Sequence, residues 1–235
     1  MSLTATYRLG TRLFWRDKPM LFASVVTPVG LAVGMPLLMR QVVSPSAAAA
    51  IFQGSLAILL SITAFMNIVV TLTTRRDQLV LKRLRAGRLT DAQILLGQIA
   101  STATQTVVLI AVCAVAVRLA GVALPQNPLL FAGAAVAGAV VSSLLGAAYT
   151  AVIPRTELAA AFTMPVFLAA GVAAGAMGPI PLPSWLQAAL DLLPTSAVVH
   201  AVRTGEAALP ALNLAVWAVV GLVALRWFRW EPRRS

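Results

Sequence analysis

Chemistry needs groups that titrate, ligate or attack, and this sequence has few of them. His200 is its one histidine and Cys113 its one cysteine. A single cysteine excludes a disulfide framework and a cysteine-based metal cluster, and a single histidine excludes an H-E-x-x-H site. No G-x-x-x-x-G-K-[ST] run occurs, so a nucleotide's phosphates have no P-loop here. Of the seven acids, Asp17, Asp77, Asp91, Glu157 and Glu231 stand among arginines and lysines, while Asp191 and Glu206 flank one late segment. A secondary transporter needs an acid or a broken-helix cation site near the membrane midplane, and an enzyme needs a convergent acid, base or metal cluster. Neither pattern is present. The expectation is therefore no catalytic residue, no metal and no cofactor on this chain. If it moves anything uphill, the energy must come from another subunit. His200 has two readings, a proton sensor or a hydrogen-bonded interfacial residue; Cys113 reads as a small apolar side chain.

The elements that would carry these residues are membrane helices. Of 235 residues, 60% are apolar and 11% charged, and the mean hydropathy is +0.89, against roughly 45–50% apolar and 25% charged in a soluble domain. The stretches free of Asp, Glu, Lys and Arg are 19–39, 41–74, 92–117, 119–154, 158–190 and 207–225. Each is long enough for one helix, since about 20 residues cross a hydrocarbon core, and lipid offers backbone amides no partners outside a helix or a closed barrel. Apolar runs such as 129–141 lack the alternation of a barrel. The sequence predicts an all-α polytopic membrane protein, a single transmembrane domain over 1–235. Its six transmembrane helices are expected near 20–40, 53–74, 95–118, 129–152, 158–178 and 209–228.

Charge sets the expected orientation. Fifteen lysines and arginines fall in the amino-terminal segment, the connection 75–94, the connection near Arg155 and the tail; only Arg40, Arg118 and Arg203 fall on the other side. Basic residues stay cytoplasmic, so both termini and the connection 75–94 are expected in the cytoplasm of a multi-pass cell-membrane protein, and 179–208 outside. The net charge of +11 then reflects topology and contact with anionic lipid, with no nucleic-acid partner implied. The first eighteen residues are charged and lack an apolar core, so the first span is expected to remain as an anchor. Tyr7, Leu9, Leu13, Phe14 and Trp15 interleave with arginines, which reads as an interfacial helix over 3–18 or, alternatively, as a frayed tail. Trp185, Trp217, Trp227 and Trp230 read as interfacial belt residues.

The most informative segment is the connection after the second span. Leu79, Leu81 and Leu84 alternate with Lys82, Arg83 and Arg85, either as a short amphipathic helix ending near Gly87 or as a solvated basic loop. Thr90 with Gln93 forms a capping box for the next helix, and Asp91 suits its dipole. Polar residues in the spans include Gln53, Ser61, Thr63, Asn67 and Thr71 on the second, and Gln98, Thr102, Gln105 and Thr106 on the third. Asn67 and Thr71 share a helix face, as do Gln98 and Thr102; with Gln105 they are candidates to line a transport pathway, or else they hydrogen-bond between helices. Gly30-x-x-x-Gly34 and Gly171-x-x-x-Gly175 are candidate close-approach surfaces for a second chain, or for packing within this one.

The connection resembles that of permease subunits of type-2 ABC exporters, which read R-[ED]-x-x-T-L-x-R-L-R-A-x-P-L-S-x-x-x-I-L-L-G-K. Arg76, Leu81, Arg83, Leu84, Arg85, Ala86, Leu89, Ile94, Leu95, Leu96 and Gly97 fit; Gln78, Leu79, Gly87, Arg88 and Gln98 depart. Trp15-Arg-Asp-Lys-Pro19 resembles the end of that family's interfacial elbow helix. Leu182-Pro-Ser-Trp-Leu186 and Leu192-Leu-Pro-Thr195 resemble its external re-entrant helices between spans five and six. Within that family the likeness is to permeases of the daunorubicin-resistance type. The resemblance implies that 79–87 is a coupling helix received by a separate ATPase subunit in two copies, with Leu79, Leu81 and Leu84 as anchors and Lys82, Arg83 and Arg85 as polar contacts. It implies ATP and Mg on that partner, a second permease chain, identical or a paralogue, meeting spans one and five, and export by alternating access. A wall of Met, Phe, Leu and Val suits a hydrophobic or amphipathic small molecule such as a drug, antibiotic or lipid-like compound. A non-ABC carrier or channel, or a non-transporting scaffold or sensor, are the alternatives.

Overall fold

A computed structural model describes residues 25–86, 90–176 and 181–231. Among the described residues the chain forms nine helices and no strand. Helix α1 runs through Thr27–Val29, a wider π-helical turn Gly30–Gly34, and Met35–Val42. The wide turn lies between Pro28 and Pro36, consistent with the amide that each proline cannot supply. Helix α2 is Pro45–Asp77, α3 Val80–Ala86, α4 Asp91–Leu119, α5 Pro128–Tyr149, α6 Thr156–Ala173, α7 Ser184–Asp191, α8 Pro194–Thr204 and α9 Ala208–Trp227. Five of these, α2, α4, α5, α6 and α9, are long and apolar enough to cross a membrane. The expected first span begins at 20, outside the described residues, as do the expected interfacial helix 3–18, positions 87–89 of the connection and 177–180 of the late segment.

Start and stop signals explain the bounds. Ser44 Oγ accepts the Ala47 amide at 3.1 Å, and Pro45 follows as the first helical residue. This start lies well before 53, where the apolar run alone placed the second span. Asn127 and Pro128 open α5 in the same way, with Asn127 Oδ1 3.0 Å from the Leu130 amide. The Thr90–Gln93 capping box that opens α4 is formed in both directions, at 3.3 and 3.1 Å. Helix α6 ends at Ala173, short of the expected 178. Gly175 (φ +62°) terminates it, its amide bonding Val172 O and the Ala176 amide bonding Gly171 O in a Schellman cap.

Helix α2 is the axis of the bundle, wrapped by α1, α4, α5, α6 and α8. Its contact with α5 depends on small residues. A Cβ on Gly138 would lie 2.6 Å from Val198 and 3.0 Å from Leu60, and one on Gly146 would lie 2.5 Å from Ile68 and 2.6 Å from the Phe65 carbonyl. Gly138, Ser142 and Gly146 recur every four residues along one face of α5, the small-residue stripe by which helices approach closely in lipid. The outward faces are apolar as well: Val108, Val112, Val115 and Leu119 on α4, and Leu212, Val216, Val219, Val220 and Val223 on α9, are exposed. Helices apolar on both their buried and their outer faces belong in a membrane.

Arginines close the helix ends. At one end of the bundle Arg40 donates to Ala120 O at the end of α4, and Arg203 donates to Ala174 O at the end of α6 (2.7 Å) and to Ala50 O (3.4 Å). At the opposite end lies the connection between α2 and α4.

Candidate functional site

Among the described residues, the elbow from α2 into α3 holds the ion pairs Arg76–Asp77, Lys82–Glu231 and Arg85–Asp91. Arg76, in the last turn of α2, is 2% exposed. Its guanidinium donates to Thr150 O (3.2 Å), Ile153 O (2.9 Å) and Pro154 O (3.1 Å), covering carbonyls at and just beyond the end of α5. A buried guanidinium is tolerated when its donors are used this fully. Asp77, next in sequence, accepts the Thr156 amide (2.8 Å) and hydroxyl (2.7 Å) through Oδ2 at the start of α6, while Oδ1 lies 3.4 Å from Arg76 Nε. Arg75 donates to Gln98 on α4. Three consecutive residues thus tie α2 to α4, α5 and α6.

The chain then reverses at Leu79, whose φ of +58° is costly for a bulky side chain. The turn lets α3 fold back beneath the bundle. Leu81 is 1% exposed and packs with Ile68, Leu72, Ile94, Leu95, Ile99, Leu144, Ala147 and Phe228; Leu84 is half-buried against the same cluster. This corrects the expectation that Leu81 is a surface anchor: with α3 amphipathic, its apolar stripe faces the protein's own core. Leu79, 43% exposed, and Arg83 face outward. Lys82 pairs with Glu231 at 3.2 Å, and Arg85 pairs with Asp91 at 2.8 Å beneath the Trp230 ring.

Two side-chain hydrogen bonds join α2 to α4 along a seam, Arg75 to Gln98 and Thr63 to Thr106. Thr63 Oγ1 lies 2.6 Å from Leu59 O and 3.1 Å from Thr106 Oγ1, its one hydroxyl proton shared between them, within a second π-helical stretch, Leu60–Met66. Asn67, Gln98 and Thr102 are buried, whereas Thr71 and Gln105 are half-buried. Gln98 is taken by Arg75 and Gln105 by Ser101 (3.1 Å). Asn67 Oδ1 is buried without a partner. In this conformation the seam is a packed contact between helices.

The two glycine pairs are not equivalent. Gly30 and Gly34 are exposed, and a Cβ on either would meet nothing within 4 Å. Gly171 is buried and Gly175 is the α6 cap described above, so that pair presents no open surface. His200 is exposed. The Trp217 indole donates to Leu192 O at 2.7 Å, joined there by Asn213 at 3.0 Å, so Trp217 fastens the α7–α8 turn to α9. Cys113 is buried in the main apolar cluster.

The model of the family described as ABC-2 type transporter matches residues 2–207. The chain belongs to the ABC-2 type transporter family. No curated protein is a significant match to it. As an ABC-2 permease it is a component of membrane transport and not a catalytic one. The matched region takes in α1 to α8 and the whole elbow; α9 and the segment after it lie beyond the match.

Sequence reasoning missed the roles of Arg76, Asp77, Gly138, Gly146 and Trp230 in this permease. Arg76 and Asp77 stood in a cluster of like residues, and their partners lie far along the chain, at Thr150–Thr156. The glycines were findable, since Gly138-x-x-x-Ser142-x-x-x-Gly146 is written in the sequence.

Proposed function

We propose that this permease is the membrane half of an ATP-driven exporter that moves a hydrophobic or amphipathic small molecule of the drug, antibiotic or lipid-like class out of the cell. In this reading α1 belongs to a sixth span, and the elbow faces the cytoplasm with both termini. A separate ATPase in two copies carries ATP and Mg. Two permease chains meet, with Gly30 and Gly34 the open small-residue surface for that contact, and α7 and α8 form the external segment.

The observation that carries this reading is the elbow. A family of ATPase-driven transporters needs a surface that accepts force and a rigid route into the spans. Helix α3 turns Arg83 and Leu79 outward while Leu81 and Leu84 bind it to the bundle, and Arg75, Arg76 and Asp77 join its root to α4, α5 and α6. The distribution of basic residues supports the orientation: Arg75, Arg76, Lys82, Arg83, Arg85 and Arg155 gather at the elbow end, against Arg40, Arg118 and Arg203 at the other. A groove of about 520 Å³ between α5 and α9, lined by Leu129, Gly133, Ala137, Val140, Leu214 and other apolar residues, supports an apolar cargo. Asn67, Thr71, Gln98, Thr102 and Gln105 would line the pathway once the α2–α4 seam separates in a second state.

The test is purification of the full chain from its native membrane, followed by uptake of a hydrophobic fluorescent dye into inverted vesicles. The reading predicts that an ATPase co-purifies and that dye accumulates only with ATP. Uptake by the purified chain without ATP would make it a carrier, and ATPase binding without uptake would make it a scaffold.

A further inference from the structure

After the short 3₁₀ turn Leu225–Trp227 that ends α9, the chain bends back on itself, the Phe228 amide bonding Leu225 O at 3.0 Å. Phe228 is buried in the cluster that holds Leu81. Its ring meets Trp230 edge-on at 4.9 Å and 71°. The Trp230 face receives the Arg85 guanidinium at 4.8 Å, and Glu231 reaches Lys82 at 3.2 Å. Arg85 is therefore held from two directions, by Asp91 at the start of α4 and by Trp230 from the tail. The Lys82–Glu231 pair is exposed on both sides and adds little alone. The aromatic stack is the stronger element, because its base is buried and a cation over an indole is attracted by the ring quadrupole.

We propose that residues 228–231 form a brace that presets α3: Phe228 seats the tail in the core, Trp230 positions Arg85, and Glu231 positions Lys82, leaving Arg83 and Leu79 facing outward for a partner. These are positioning residues, and their effect on transport rests on the coupling role proposed above for α3. A seven-residue helix has almost no stability of its own, and the strained Leu79 turn at its root does not favour it. Its orientation must come from tertiary contacts, and the tail supplies those on the side opposite Arg83. The tail lies beyond the residues that the family match covers.

Hydrogen exchange by mass spectrometry on the full-length chain in lipid nanodiscs tests the brace without any partner. Trp230→Ala is expected to speed exchange of amides in 80–86 by a factor of about five, the scale of one lost cation–π contact, with residues 58–70 of α2 unchanged. Trp230→Phe, which keeps a ring face, is expected to stay near wild type, and Glu231→Lys to show a smaller rise. Unchanged exchange in 80–86 for Trp230→Ala overturns the brace, and so does a rise spread equally over α2, which would report general loosening. If Arg83→Glu leaves ATPase binding untouched, the coupling reading falls while the exchange result still decides the brace.

Discussion

Arg76 and Asp77 are neighbours in sequence but close the ends of two different helices. Arg76 covers the carbonyls at Thr150, Ile153 and Pro154 where α5 stops, and Asp77 accepts from Thr156 where α6 starts. The charges match the helix ends they meet, cation at a C-terminus and anion at an N-terminus. The short link between α5 and α6 is therefore gripped at both sides by the end of α2, and any tilt of α2 carries both helices with it.

Arg76→Ala should destabilise the permease by roughly 2–4 kcal/mol, because it leaves buried carbonyls without their donor and the Asp77 carboxylate without its neighbouring cation. Arg76→Lys should recover only part of this, since an ammonium cannot reach three carbonyls as a planar fork does. Thermal unfolding in detergent, followed by intrinsic tryptophan fluorescence, measures both.

Asp77→Ala should cost about 1 kcal/mol, the usual worth of a side-chain helix cap. A cycle with Thr156→Val separates the shared part. If the two residues act through each other, the double variant loses less than the sum of the singles by about 0.5–1 kcal/mol.

Gly146→Leu should be poorly tolerated, losing roughly 3 kcal/mol or preventing folding, because its Cβ would be pressed against the Phe65 carbonyl, which cannot yield as a side-chain tip would. Gly30→Leu should leave the stability of the single chain near wild type, since nothing lies within 4 Å of the added carbon. On the proposed dimer contact it should weaken association instead, read as loss of cross-linking between chains in the membrane. A wild-type dimer with Gly30→Leu would place the contact elsewhere.

What could be read from the sequence follows from which interactions are local. Apolar length and helix caps depend on residues a few positions apart, so the helical membrane architecture and the Thr90–Gln93 box were readable. So was the amphipathic character of α3. The direction of its apolar face was not, because Leu81 and Leu84 are equally suited to a partner's groove and to the cluster of Ile68, Leu144 and Phe228. The Ser44–Pro45 start was masked by apolar residues on both sides, and the Gly171–Gly175 spacing looked like a packing surface although Gly175 is a left-handed cap. Arg75, Arg76 and Asp77 were visible as charges only. Trp230, placed by its composition at the lipid interface, serves instead as a platform for Arg85.

On the function proposed above, this chain is the passive membrane part of an exporter and is driven through the outward side of α3. Arg83 is exposed and, among the described residues, makes no side-chain hydrogen bond or ion pair, so Arg83→Glu changes that surface without disturbing the core. Proteoliposomes holding the permease and its co-purifying ATPase measure ATP-dependent dye export directly. The account predicts that Arg83→Glu keeps wild-type thermal stability but lowers both ATPase affinity and export by about tenfold, as reversal of one interfacial charge does. Full export by Arg83→Glu, or export by the permease with the ATPase left out, would contradict it.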